Sequence, residues 1–146
     1  TKKVVVVPTK TVPQGVSAMM RLSPDGTPES LAEDFSEAIA SVHTAQVTYA
    51  ARDSEFDGYD IHAGEYLTLM DGALVGSFSD ASVLVEKLGK AIAPLNPEFI
   101  TVYYGEEVKN GDAEEFSEAL SKLFPDSEPP LIQGGQPVYY YIIAVE

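Results

Sequence analysis

Tyr66-Leu67-Thr68-Leu69-Met70-Asp71-Gly72-Ala73-Leu74-Val75-Gly76-Ser77 decides the fold. An Asp-Gly pair between two β-type runs signals a tight hairpin, because a two-residue turn needs backbone angles that these residues tolerate. Two more turn signals precede it, at Asp57-Gly58 and Ala63-Gly64, and Val47-Thr48-Tyr49-Ala50-Ala51-Arg52 upstream of them reads as a strand. The middle of the chain is therefore expected to be an antiparallel meander.

On the C-terminal side, Asp80 is placed to cap a helix whose Leu84, Leu88 and Ile92 share one face, and Pro94 and Pro97 close it. Phe99–Tyr104 returns as a strand ended by Gly105, and Asp112 is the expected cap of a further helix carrying Phe116, Leu120 and Phe124. The Pro-rich stretch 125–130 then leads to Leu131–Gln133 and a final Tyr/Ile/Val strand over 138–145. A strand-helix-strand unit with a right-handed crossover follows.

On the N-terminal side, Thr27, Pro28 and Glu29 suit the cap, first position and first turn of a helix bearing Leu31, Phe35, Ala38, Ile39 and Val42. Its apolar stripe is expected to cover a sheet face. Before it, Val16, Ala18, Met19 and Met20 suit a short helix, broken by Ser23-Pro24-Asp25-Gly26. Lys3–Val7 is a β-branched run of the kind buried in a sheet, ended at Pro8. Helices alternating with strands around the hairpin give an α/β chain, or α+β in the looser reading, with a two-layer mixed sheet.

A chain of 146 residues matches one ordinary domain and needs no staple, so its lack of cysteine removes nothing structural. That lack excludes disulfides, a thiolate nucleophile and thiolate metal sites, and fits a reducing, cytoplasmic setting. No apolar run approaches the ~20 residues of a membrane span. The chain opens without Met almost directly in a strand and stops just past its last one, as expected for a domain of a longer polypeptide. Nine basic against 23 acidic residues give a net charge of −14. That balance opposes nucleic acid and anionic membranes as partners. It serves solubility or a docking surface for a basic partner, and the sequence does not separate the two.

No segment has the Gly-rich phosphate loop, the Gly-x-Gly-x-x-Gly turn or the Gly-x-Ser-x-Gly elbow. His43 and His62 are the only imidazoles, and a His-based metal site is not expected from them. Glu55, Asp57, Asp60 and Glu65 cluster around His62, but their spacing misses the EF-hand loop and suits a solvated acidic turn.

The candidate binding residues sit at strand ends, where loops of an open sheet meet ligands and partners. Thr9, Lys10, Thr11 and Gln14 lie between Pro8 and Gly15. Lys10 suits an anion or a partner carboxylate, or is simply an exposed residue in a rigid connection. Arg52-Asp53 suits a partner contact or a local turn with its own ion pair. Gly134-Gly135 lets a ligand or second chain approach the backbone and Gln136 offers a donor and an acceptor, or the segment is a tight turn. Tyr104 and Tyr139 belong to tyrosine runs at 103–104 and 139–141 in which alternate rings face opposite sides, so interface and core are both open to them.

Four segments in order, Val-Pro-Thr-Lys-Thr-Val-Pro-Gln-Gly at 7–15, Val-Thr-Tyr-Ala-Ala-Arg-Asp at 47–53, Val-Tyr-Tyr-Gly-Glu-Glu-Val at 102–108 and Gly-Gly-Gln-Pro-Val-Tyr at 134–139, carry a family resemblance. Over essentially the whole chain it resembles the C-terminal end of the catalytic chain of bacterial fatty acid kinase, a dihydroxyacetone-kinase-like, YloV-type family. The resemblance implies a parent that phosphorylates a fatty acid carboxylate to an acyl phosphate, with ATP and magnesium held by an N-terminal domain outside this chain and no cofactor here. It implies one lobe of a DegV-like fold whose partners are a DegV-family acyl-binding protein and the other domains of the polypeptide. It supplies no catalytic residue or metal ligand here. The leading expectation is a docking and positioning domain; an acyl- or metabolite-sensing domain and a self-association module, with a homo-oligomer, are the alternatives.

Overall fold

The computed structural model describes all residues 1–146. The chain divides into two compact units, Thr1–Thr44 and Ala45–Glu146.

In the first unit, helices α1 (Val12–Met20) and α2 (Pro28–Ser41) pack on each other. Thr27 caps α2 in a reciprocal box with Ser30, and Pro28 takes the first turn, where its missing N–H has no partner to lose. Along α2, Ala38 is fully buried and Leu31, Phe35 and Ile39 are half-buried. Pro13, Gln14 and Gly15 belong to the first turn of α1. Proline fits there because only interior positions demand its missing donor.

Residues 1–10 form no strand. Lys3–Val7 has the composition of a buried strand, yet Val4 and Val6 stand 81% and 83% exposed. A strand exists only with a neighbour to take its N–H and C=O groups, and no strand of the chain pairs with these residues.

The second unit is built on a mixed, mostly antiparallel sheet. Its strands are β1 (His43–Tyr49, which begins in the first unit), β4 (Tyr66–Met70), β5 (Ala73–Phe78), β6 (Ile100–Tyr104), β7 (Leu131–Gln133) and β8 (Tyr141–Val145). They lie in the order β5-β4-β1-β8-β6-β7, with β2 (Ser54–Phe56) and β3 (Tyr59–Ile61) as a separate ribbon. The Asp71-Gly72 hairpin forms as expected, Met70 opposite Ala73, with both turn residues at positive φ. It is central in the sequence and at the edge of the sheet.

Helices α3 (Ala81–Ile92) and α4 (Asn110–Leu123) supply the second layer. Asp80 caps α3, accepting from the Ser82 backbone N–H at 2.7 Å, and Leu84, Leu88 and Ile92 enter the core. The α4 start departs from expectation: Lys109 is its cap residue without a side-chain bond, and Asp112 lies inside the first turn, where its charge complements the helix dipole. The core unites Ala45 and Val47 of β1, Ile100 and Val102 of β6, and Ile143 and Val145 of β8 with the inner faces of both helices. Alternate residues of these strands point to it, as the strand period of two requires. β6 and β7 run parallel, joined through α4.

Candidate functional site

Two surface features, one in each unit, bring polar and apolar side chains together. In the first unit, Thr11 caps α1 by accepting from the Gln14 N–H at 3.3 Å, while the Lys10 N–H donates to Gln14 Oε1 at 2.8 Å. Thr11 Oγ1 also lies 2.8 Å from Thr44 Oγ1. These bonds fix the 9–14 segment over the start of α1. Thr9, Lys10 and Thr11 thereby border an open depression whose floor is Val12, Val16, Met19 and Met20. The last four recur at helical spacing on one face. All four are exposed.

In the second unit, a cleft of about 680 Å³ opens between α3 and α4 over the sheet. Val47, Tyr66, Tyr140 and Tyr141 belong to its strand side, and Leu84, Val85 and Phe116 to its helix side. The aromatic rings are locked together: Tyr140 lies 5.7 Å from Tyr49 and edge-on to Tyr66 at 5.8 Å, and Phe116 stacks on Tyr141 at 3.9 Å. Glu107, Asp112 and Glu115 line the mouth, and no lysine, arginine or histidine does. Burial, and then the negative charge of Glu107, push the Tyr140 phenol above its ordinary value, so it stays a neutral donor at physiological pH. Burial does the same, more strongly, to Tyr141, whose hydroxyl faces the Asp112 carbonyl at 3.4 Å.

The Gly134–Gln136 segment is tied into the fold. The N–H groups of Gly134 and Gly135 both donate to the Tyr104 carbonyl, at 3.0 and 3.1 Å, and Gln136 Nε2 donates to the Tyr103 carbonyl at 3.1 Å. Gly105 is required beside it, because a β-carbon there would strike the carbonyl oxygens of Tyr139 and Gln136. Val138 follows at φ 71°, a strained setting for a β-branched residue, spanned by the Tyr139 N–H to Pro137 carbonyl bond of 2.8 Å. Tyr104 is buried, with its hydroxyl donating to Asn110 Oδ1 at 3.0 Å, and Tyr139 is half-buried.

Arg52 and Asp53 lie exposed between β1 and β2, and Asp53 Oδ1 accepts from the Ala63 N–H at 2.8 Å. Within the first unit the structure thus gathers Thr9, Lys10, Thr11 and Gln14. Within the second it gathers Tyr104, Gly134, Gly135, Gln136 and Tyr139 into one strap, with Arg52 and Asp53 on a separate loop. Sequence reasoning missed the cleft. Its usable signal was the 112, 115, 116, 119 spacing on α4, which puts two carboxylates beside an apolar pair. No group of three or more His, Asp or Glu side chains is placed to hold a metal ion, and no helix is long and apolar enough to cross a membrane.

Comparison with known proteins supplies the context. The chain is 32% identical over 145 residues to protein YloV of Bacillus subtilis (strain 168), covering 99% of this chain and 26% of that one. It is 31% identical over 142 residues to an uncharacterized protein of Staphylococcus aureus (strain USA300), with 97% and 26% covered. An uncharacterized protein of Staphylococcus haemolyticus (strain JCSC1435) is 32% identical over the same length, again with 97% and 26% covered. The chain therefore spans about a quarter of the length of the curated relatives it matches. Among solved structures it is similar to the fatty acid binding DegV family protein SAG1342 of Streptococcus agalactiae. The TM-score is 0.58 at 8% identity, covering 90% of this chain and 54% of that one, which is a likeness of fold. The model of the FakA-like C-terminal family, named for fatty acid kinase, matches residues 1–146, and the chain belongs to that family.

Proposed function

We propose that the chain serves, within a fatty acid kinase, as a docking and positioning domain for a DegV-family fatty-acid-binding protein. In this reading ATP, magnesium and the phosphoryl transfer to the fatty acid belong to an N-terminal domain outside the chain. The observation that carries it is the bare apolar face of α1, Val12, Val16, Met19 and Met20, bordered by Thr9, Lys10 and Thr11. A contiguous apolar surface with a polar border is the usual signature of a protein contact. Met is suited to such a surface because its unbranched side chain adapts to the partner's shape. Lys10 supplies a charge that steers encounter with a carboxylate-bearing partner. Arg52 and Gln136, in the second unit, are assigned contacts of their own.

Calorimetric titration of the chain with a fatty-acid-loaded DegV-family protein at low and moderate salt tests this reading. Binding is expected, with Met20→Ser weakening it by about tenfold, the loss of one well-packed interface anchor. Lys10→Ala and Arg52→Ala are each expected to flatten the salt dependence. A folded chain that does not bind, or that binds with unaltered affinity and salt slope in all three variants, overturns the assignment.

A further inference from the structure

The cleft between α3 and α4 plays no part in that docking reading, and its chemistry is different. Its walls are apolar and aromatic, with Val47, Leu84 and Phe116 in the interior and the Tyr66 and Tyr140 rings toward the strand ends. All three of its ionisable carboxyl side chains, Glu107, Asp112 and Glu115, are exposed at the mouth. A volume of about 680 Å³ lies within the range of sites that take small molecules or single protruding side chains. We infer that this cleft is a binding site for an organic cation, an ammonium or guanidinium group carried on an apolar stem.

Three features make the assignment. Tyrosine faces attract cations through the negative face of the ring, with the greatest effect where the cation is partly desolvated. Carboxylates at the mouth, with no cationic side chain in the lining, favour the same sign of ligand and repel a carboxylate or phosphate. The start of α3, which would otherwise attract an anion, is already neutralised: Asp80 accepts from the Ser82 N–H at 2.7 Å and from its hydroxyl at 2.6 Å. The stem would lie against Tyr66, Val108, Ala119 and Tyr140, the partly exposed apolar and aromatic residues of the lining, which gives specificity for an alkyl or aryl cation over a bare metal ion. The cation has two sources of the same chemistry, the arginine or lysine side chain of another protein and a free amine.

Titration of the 146-residue chain with hexylammonium, hexanoate and acetyl-Leu-Arg-Leu-amide, followed by NMR of the Tyr66, Phe116 and Tyr140 ring resonances, tests the site. Hexylammonium is expected to move these resonances saturably and to bind at least about tenfold more tightly than hexanoate. The Glu107→Gln, Glu115→Gln double variant should weaken it about three- to tenfold, and added salt should weaken it further. Tyr140→Phe, which keeps the ring face, should alter it less than about twofold. Peptide binding tighter than hexylammonium assigns the cation to a protein side chain, and the reverse assigns it to a free amine. Hexanoate binding as tightly as hexylammonium, or no saturable shift with either cation, overturns the inference. Because the α1 surface is untouched by these probes, failure here leaves the docking reading standing, and the calorimetric test decides that one separately.

Discussion

Leu88, Ile92, Ile100, Leu120 and Ile143 of the second unit expose none of their surface, whereas Met19 and Met20 of the first are 59% and 79% exposed. Both sets are apolar residues at regular spacing, on helices or strands that form as the sequence leads one to expect. Hydrophobic periodicity reports that a residue wants cover and on which face of its element, and is silent on whether the chain itself provides that cover. In Ala45–Glu146 the sheet and α3/α4 meet that demand internally. In Thr1–Thr44 the face of α1 and the run Lys3–Val7 do not find it within their own unit, and that is the physical ground for reading α1 as a contact surface.

The contrast is broken most readily by truncating one residue of each kind. Leu88→Ala should lower the unfolding free energy by about 2–5 kcal/mol, the transfer loss plus the cavity left in a site with little room to collapse. Met20→Ala should stay within about 0.5 kcal/mol, as for most exposed positions. Urea denaturation of both variants measures the difference. A Met20→Ala loss as large as that of Leu88→Ala would mean that the α1 face is covered in solution.

Within the second unit the closed core still holds one misfit. Thr68, on β4 opposite Val47 and Gly76, is fully buried, and its hydroxyl has no hydrogen-bond partner. An unsatisfied buried hydroxyl costs about 1–3 kcal/mol, and valine fills nearly the same space without it. Thr68→Val is therefore expected to stabilise the protein by about 1–2 kcal/mol, the opposite sign to Leu88→Ala. A loss of stability would place an ordered water on that oxygen.

The first unit depends instead on local chemistry at its helix starts. Thr27→Ala removes the side-chain half of the box, the Ser30 N–H donating to Thr27 Oγ1 at 3.2 Å, and leaves the backbone half, the Thr27 N–H donating to Ser30 Oγ at 3.0 Å. The expected loss is about 1 kcal/mol, seen as faster amide exchange in the first turn of α2. Unchanged exchange there would mean that packing against α1, not the cap, holds that turn.

What could be read in the sequence divides along the same line. The Asp71-Gly72 hairpin, the Thr27 and Asp80 caps and the Leu84-Leu88-Ile92 face were legible, because each is set by residues within one or two turns of each other. Lys3–Val7 was misread as a strand because strand formation is a property of a pair, and its own composition says nothing about a partner. Asp112 was misread as a cap because an acid suits both the cap and the first turn, and only the bond geometry separates them. Gly134, Gly135 and Gln136 stood out in the sequence, as a close approach for a ligand or second chain or as a tight turn, but the bonds of their donors to the Tyr103 and Tyr104 carbonyls join segments far apart in the chain, which no local pattern reveals. The α3/α4 cleft was invisible for the same reason. Tyr66, Glu107, Phe116 and Tyr140 come from four segments, and only the strand order brings them to one mouth.

The smallest expected effect concerns acid. Asp80 is held below its ordinary value of 3.8 by the Ser82 hydroxyl and then the Ser82 N–H. Glu65 is held below 4.5 first by the Ser77 hydroxyl, at 2.5 Å, and then by the His62 N–H, at 2.9 Å. A carboxyl whose folded value lies below its unfolded one stabilises the fold at pH above the unfolded value. That contribution fades as pH falls through the folded value, when the unfolded state has already taken its proton and the folded state must follow. Stability should therefore decline with falling pH from just above 4.5 downward, and hold steady on this account between there and neutrality. Asp80→Asn keeps an acceptor for the Ser82 N–H and removes the titrating proton, so its decline should be shallower than the parent's. Asp80 is exposed and Glu65 half-buried, so solvent screens both and keeps the difference small. Urea midpoints measured from neutral pH to about 3 for the parent, Asp80→Asn and Glu65→Gln give the comparison. Superimposable slopes would mean that these hydrogen bonds persist equally in the unfolded chain, and that the acid sensitivity of this unit lies in other carboxylates.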